Sequence, residues 1–206
     1  MAAMKLYYSP GSCSLAAHIV LEEAGLKYDI ERVNTKDHVT ETGADYFKVN
    51  PNGYVPALQL DDGAVLHENS ALLPWIAQQS KGAKLIPADG TMENYRVREW
   101  LGFLSSELHK NYSPLFRGNL TEELVKFQLE LIARRLGSVE QALQGRSYLT
   151  GEAFTPADAY LFVILRWSPR VNVALEGFPN LQAFQARVGA RPAVVAAMKA
   201  QGLIKG

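Results

Sequence analysis

The sequence predicts an α/β domain followed by an all-helical one. Two observations carry that division. Residues 5–79 alternate between strand-like apolar runs and segments with apolar residues at helical spacing, whereas beyond residue 90 every patterned segment is helical. Between them, Ser80 to Gly90, with Gly82, Pro87 and Gly90, has the composition of a linker. The expected domains are therefore residues 1–80 and 91–206, joined by a linker over 81–90. A chain of 206 residues is long enough for one large or two small domains, and a hydrophobic content of 48% suits an ordinary core.

In the first domain, Lys5 to Tyr8 reads as a strand. Ser14 to Ala24 reads as a helix, with Leu15, Ile19 and Leu21 at roughly helical spacing and Gly25 as its stop. Tyr28 to Val33 alternates as a second strand, and the β-α-β order implies a parallel pair. Thr35 to Lys48 is a polar loop with room for a short helix. Val55 to Leu60 and Ala64 to Leu66 flank Asp61-Asp62-Gly63, a hairpin signal. Glu68-Asn69-Ser70 offers an N-cap for a helix to about Gln79. Pro74 inside that helix removes one backbone bond and predicts a kink or a later start. The order β-α-β-(loop/α)-β-β-α is that of a thioredoxin-like layer.

In the second domain, Thr91 caps a helix to about Tyr112, with Trp100, Leu101, Leu104 and Leu108 on one stripe; Pro114 and Gly118 break it. Thr121 to Leu143 forms the next helix, closed near Gly145. Thr155-Pro156-Ala157-Asp158 is a capping box with aspartate in the Glu/Gln place and proline at the first helical position. The helix it starts, to about Val171, is apolar nearly all round and belongs at the centre of its domain. Pro179 to Val188 and Pro192 to Ala200 are two further short helices.

Lys plus Arg and Asp plus Glu both number 21, a balance that argues against nucleic acid as a partner. The apolar run Tyr160 to Leu165 is far too short to span a bilayer, so no membrane partner is expected. The start, Met1-Ala2-Ala3-Met4-Lys5, lacks a signal-peptide pattern, which makes the cytoplasm the expected location. One cysteine and four scattered histidines lack zinc-ligand spacing, so no metal is expected.

The one cysteine, Cys13, follows Ser9-Pro10-Gly11-Ser12 where a helix begins. Unpaired N–H groups and the positive end of the macrodipole favour a thiolate at such a place. The competing reading is a small buried hydrophobe. A lone thiol has no internal disulfide partner, so any redox chemistry needs a sulfur from outside.

Four stretches together resemble the bacterial glutathione S-transferases, most closely the beta class. They are Lys5 to Leu15 (KLYYSPGSCSL), Val49 to Leu58 (VNPNGYVPAL), Glu107-Leu108-His109-Lys110 followed by Ser113-Pro114-Leu115-Phe116, and Phe154 to Phe162 (FTPADAYLF). The resemblance spans Met4 to about Ile204 and implies a homodimer. It also implies a glutathione site on the thioredoxin-like domain and an electrophile pocket against the all-α C-terminal domain.

The same resemblance supplies roles. Cys13 becomes the catalytic residue, ahead of the hydroxyls of Tyr7 and Tyr8, with Tyr8 lining the site. Val55-Pro56 resembles a cis-proline turn whose backbone pairs with the cysteinyl unit of glutathione like an added strand. Glu68 takes the γ-glutamyl amine. Asn69, with the N–H groups of the helix start, takes its carboxylate. His38, where many relatives carry lysine, and Lys36 are the candidates for the glycyl carboxylate. Ser106 and His109, three apart on one helix face, look toward Cys13 in the resemblance; His109 is thereby the second catalytic residue, placed to hold the thiolate or orient the glutathione sulfur, and Lys110 adds positive charge. Ser12 and Ser14 are hydroxyls placed to support the sulfur. Tyr112, Phe116 and Trp167 line the electrophile pocket. His18 and His67 match nothing and read as structural or exposed.

The implied function is conjugation of glutathione, as co-substrate, to small hydrophobic electrophiles. Thiol–disulfide exchange or peroxidase activity through Cys13 stands beside it. The rivals are a glutathione-dependent dehalogenase or isomerase, and a non-catalytic binding protein of the same fold.

Overall fold

The computed structural model describes residues 4–205; Met1, Ala2 and Ala3 of the start segment read above lie outside them. The chain divides into two compact units. One extends through Ile86 and takes in the C-terminal segment from Arg191; the other is Pro87–Ala190.

In the first unit β1 (Met4–Tyr8), α1 (Ser14–Ala24) and β2 (Tyr28–Asn34) follow in order, with β1 and β2 parallel and Leu6 opposite Ile30. Leu6, Tyr7 and Tyr8 are all buried, as a strand flanked on both sides requires. The polar loop holds a two-residue strand, β3 (Val39–Thr40), antiparallel to β2, and a single 3₁₀ turn over Tyr46–Lys48. β4 (Ala57–Gln59) and β5 (Val65–His67) form the expected hairpin. The mixed sheet runs β3-β2-β1-β4-β5. Gly25 closes α1 at φ 64, in the left-handed region that glycine enters without cost.

α2 (Asn69–Gln79) packs on α1. It starts where the cap signal lies, not later, and Pro74 sits inside a continuous helix. The carbonyl that loses its partner to Pro74 is that of Ser70, an exposed first-turn residue, which is why the proline is tolerated.

The second unit opens with α3 (Met92–Phe103), capped by Thr91, whose hydroxyl accepts the Asn94 N–H. The single helix expected to Tyr112 does not stay α. Leu104–His109 is π-helical before α4 (Lys110–Tyr112). α5 (Glu122–Ala142) is capped by Thr121. α6 (Pro156–Leu165) is buried at every residue and carries the predicted capping box. It ends at Leu165, short of Val171, because Pro169 has no N–H for the Leu165 carbonyl and disfavours helical backbone at Ser168. α7 (Pro179–Gly189) completes the unit.

α8 (Pro192–Ala200) packs against α1 and so belongs with the first unit, whereas sequence texture had grouped it with the other helices. The Arg191 guanidinium grips the Glu23 carboxylate through two nitrogens, at 2.5 and 2.8 Å. Among the described residues, no helix is long and apolar enough to cross a membrane.

Candidate functional site

β1 leaves the sheet into a tight turn, with the Ser12 N–H on the Ser9 carbonyl at 3.1 Å. Ser14, fully buried, knits that turn. Its hydroxyl accepts the Ser9 N–H, donates to the Ser9 carbonyl and lies 2.7 Å from the Ser12 hydroxyl. Ser12 and Ser14 therefore serve the loop backbone and each other, rather than the sulfur. Cys13 follows as the half-buried N-cap residue of α1, with φ −58 and ψ −18. Its Sγ donates to the Val55 carbonyl at 3.1 Å. The Val55–Pro56 peptide is cis, and both residues are buried.

The thiol is not pre-ionised. Burial pushes the Cys13 pKa up to about 12, and the Glu68 carboxylate pushes the same way. The N–H groups of Cys13 and Ser14 pull downward, as the helix-start argument requires, but desolvation wins. At neutral pH Cys13 is therefore a neutral hydrogen-bond donor.

Glu68 precedes α2 at φ 65 and ψ 122, a sparsely populated backbone for a non-glycine residue, and its side chain does not cap the helix. It is exposed. Asn69 is buried; its Nδ2 donates to the Cys13 carbonyl at 3.0 Å, and its Oδ1 is buried without a partner among the described residues. Asn69 thus ties the start of α2 to the cysteine loop.

His38 stands at φ 54 with its ring 4.4 Å from that of Phe47. It covers Gly53 so closely that a Cβ there would come within 2.6 Å of the imidazole. The ring is packed into its loop, with Nδ1 buried and unpartnered among the described residues, whereas Lys36 is exposed. Tyr8 is buried, and burial raises its pKa, with Glu41 adding to the rise and Arg32 opposing it.

In the second unit, the π-helical turn closes i→i+5 bonds, so Ser106 and His109 do not share a face as they would in an α-helix. Ser106 is exposed and donates to the Gly102 carbonyl. His109 is half-buried, its Nδ1 2.6 Å from the Tyr160 hydroxyl and its ring 4.9 Å from that of Trp167. Burial, with the Lys110 charge acting the same way, lowers its pKa to about 4. His109 is therefore a neutral imidazole at neutral pH, and the Lys110 charge acts chiefly to keep it so.

Trp167 also packs edge-on against Tyr112 and Phe116. The three residues expected to line an electrophile pocket form one aromatic cluster with His109. Tyr112 has no exposed surface, and its hydroxyl is 2.8 Å from that of Ser168, so it supports Trp167 from behind rather than facing a ligand. Phe116 is 48% exposed. Among the described residues, no group of three or more His, Cys, Asp or Glu is placed to hold a metal ion.

Residues 11–79 match the glutathione S-transferase N-terminal domain, and residues 103–192 match the glutathione S-transferase C-terminal domain. The chain is 42% identical over 203 residues to glutathione S-transferase GstA of Escherichia coli O157:H7, covering 97% of this chain and 100% of that protein. The chain belongs to the glutathione S-transferase family. It is similar to the beta class glutathione S-transferase of Sphingomonas chungbukensis, with 44% identity, a TM-score of 0.93, and coverage of 97% of this chain and 100% of the other. A sphingomonad glutathione S-transferase complexed with glutathione is 42% identical at a TM-score of 0.93, with the same coverage of each chain. Family membership makes the chain an enzyme, a transferase, and agrees with the motif resemblance.

Three supporting roles around the candidate residues of the two units escaped the sequence reading. Tyr160, which fixes His109, lay inside the quoted Phe154–Phe162 stretch but read as core. Ser14 read as a helper of the sulfur. Gln201, which holds the Gly11 N–H at 3.1 Å, gave no signal at all. Its partner is 190 residues away in the chain, and no local pattern records such a contact.

Proposed function

We propose that this glutathione S-transferase conjugates glutathione to small hydrophobic electrophiles, using the Cys13 turn, Val55 and the first turn of α2 as its glutathione site. The observation that supports this most is the 3.1 Å contact between Cys13 Sγ and the Val55 carbonyl. It puts the thiol beside the backbone edge along which a tripeptide would lie as an added strand. The cysteinyl N–H of glutathione takes the Val55 carbonyl in place of the Cys13 thiol. The released S–H then donates to the glutathione sulfur and favours its thiolate. That thiolate attacks the electrophilic carbon; an S–C bond forms, the leaving group departs with its electron pair, and the thiol proton goes to solvent.

The γ-glutamyl carboxylate sits at the N–H groups that begin α2, and its amine meets Glu68. For the glycyl carboxylate we favour Lys36, because the His38 ring is committed to Phe47 and Gly53. His109 contributes a neutral imidazole; with Nδ1 engaged by Tyr160, Nε2 is the nitrogen left for a ligand. Trp167 and Phe116 supply the apolar wall for the electrophile.

Thiol–disulfide exchange through a Cys13–glutathione mixed disulfide is the second proposed activity. It needs the Cys13 thiolate, which burial disfavours, so it should be slow at neutral pH and climb with alkalinity. We place the enzyme in the cytoplasm, whose reducing poise suits a free thiol, and propose a homodimer as its working form. The test is retention on immobilised glutathione together with turnover of a generic aryl halide. Cys13→Ala should lower conjugation about tenfold or more, the scale of one charge-assisted hydrogen bond. Conjugation and disulfide reduction both unchanged in that variant would refute the site.

A further inference from the structure

The turn that presents Cys13 is held from the far end of the chain. Gly11, at φ 70, donates its N–H to Oε1 of Gln201, the buried residue that follows α8. The Gln201 Nε2 lies 3.1 Å from Nδ1 of His18, itself enclosed in α1. Elementary chemistry assigns the roles. A backbone N–H only donates, so the amide oxygen must face Gly11. The NH₂ then faces His18 and needs a lone pair, so Nδ1 must be unprotonated.

Other groups surround the imidazole. Glu22 Oε1, on the same helix, is 3.9 Å from its Nε2 and also accepts the Tyr28 hydroxyl. The Tyr28 ring from β2 stands edge-on at 5.5 Å, and Tyr8 from β1 is at 6.3 Å. His18 borders a surface groove of about 850 Å³, shared with Lys5, Lys27, Asp29, Glu31 and Glu41, which gives a proton its route in.

We propose that Gln201 is a positioning residue for Cys13, and that its hold on the Gly11 turn is set by the protonation of His18. A neutral imidazole keeps the Gly11–Gln201–His18 chain intact; an imidazolium breaks it. Once Nδ1 carries a proton, it opposes the Gln201 NH₂. Turning the amide over to serve His18 would set that NH₂ against the Gly11 N–H. No orientation of Gln201 then satisfies both neighbours. Burial holds the His18 pKa below the ordinary imidazole value, with Glu22 opposing, so the chain is closed at neutral pH and opens on acidification. The positioning role rests on the proposed glutathione site.

The test follows the Gly11 amide and His18 ring resonances of the full ¹⁵N-labelled chain from neutral to acid pH. The Gly11 signal should move with the same midpoint as His18. In Gln201→Ala it should no longer respond, while His18 still titrates. Gln201→Glu, whose carboxylate accepts from both Gly11 and a protonated His18, should raise the His18 midpoint, and it serves if the alanine variant does not fold. The KM for glutathione should rise about fivefold as His18 protonates, the factor of one ordinary hydrogen bond. His18→Asn, whose amide oxygen accepts from Gln201 without titrating, should abolish that rise. A Gly11 signal indifferent to His18 in a protein that does turn over glutathione overturns the role of Gln201 alone. Coupling in a protein that does not bind glutathione overturns the proposed function, and the positioning role with it.

Discussion

The Cys13 thiol donates to the Val55 carbonyl, and the proposed glutathione site would offer it a second acceptor. Its position at a helix start was legible in the sequence, and so was the electrostatic pull toward a thiolate. The opposing desolvation was not, because burial is a property of the packed loop and of Val55, 42 residues away. The balance is measurable, since this is the only thiol in the chain. Timed alkylation with iodoacetamide should accelerate about tenfold per pH unit through the alkaline range without levelling below pH 10. Glu68→Gln should speed alkylation at any given pH, because it removes a charge that raises the thiol pKa. Gly53 is the other residue whose identity is dictated. It sits at φ 70 beneath the His38 ring, so Gly53→Ala should cost about 1–3 kcal/mol by denaturant unfolding through backbone strain and the displaced imidazole.

At the scale of elements, caps and turns were the most legible features. Thr91, Thr121 and Thr155 each begin a helix as predicted, and Asp61-Asp62-Gly63 turns the β4–β5 hairpin. Their signals are local and chemical, which is why one sequence suffices to read them. The π-helical turn was hidden for the opposite reason: Leu101, Leu104 and Leu108 are all fully buried at spacings that an uninterrupted α-helix satisfies equally well. That turn sets the aim of His109 toward Tyr160. The capping box of α6 makes the firmest element-level prediction. The buried Asp158 carboxylate accepts the N–H groups of Leu149 and Thr155 and the Thr155 hydroxyl. Asp158→Ala strands those donors and should destabilise the protein by about 2–4 kcal/mol in denaturant titrations.

At the scale of the whole molecule, the sequence separated an α/β part from a helical part but assigned residues 191–206 by texture alone. Helical texture does not say which neighbour a helix packs on; the Arg191–Glu23 pair and the α8–α1 contact do. Removing the chain from Arg191 onward should therefore unfold the thioredoxin-like unit, lowering its protection in hydrogen exchange first. Acid stability sums two opposing groups in the second unit. Burial raises Asp158 from 3.8 to about 6, so its contribution is fully present below 3.8 and is lost as pH rises through about 6. His109 is lowered from 6.5 to about 4, so its contribution is present above 6.5 and is lost as pH falls through about 4. Between these limits Asp158→Asn should steepen the fall of Tm on acidification, and His109→Gln should flatten it.

The exchange of partners at the Val55 carbonyl is tested most directly by the infrared S–H stretch of the one cysteine. Titration with S-methylglutathione, which has no thiol of its own, isolates that band. Binding should shift the stretch away from its hydrogen-bonded frequency as the ligand's cysteinyl N–H takes the carbonyl. An S–H band unmoved at saturation would mean that Cys13 keeps Val55 and that glutathione binds elsewhere.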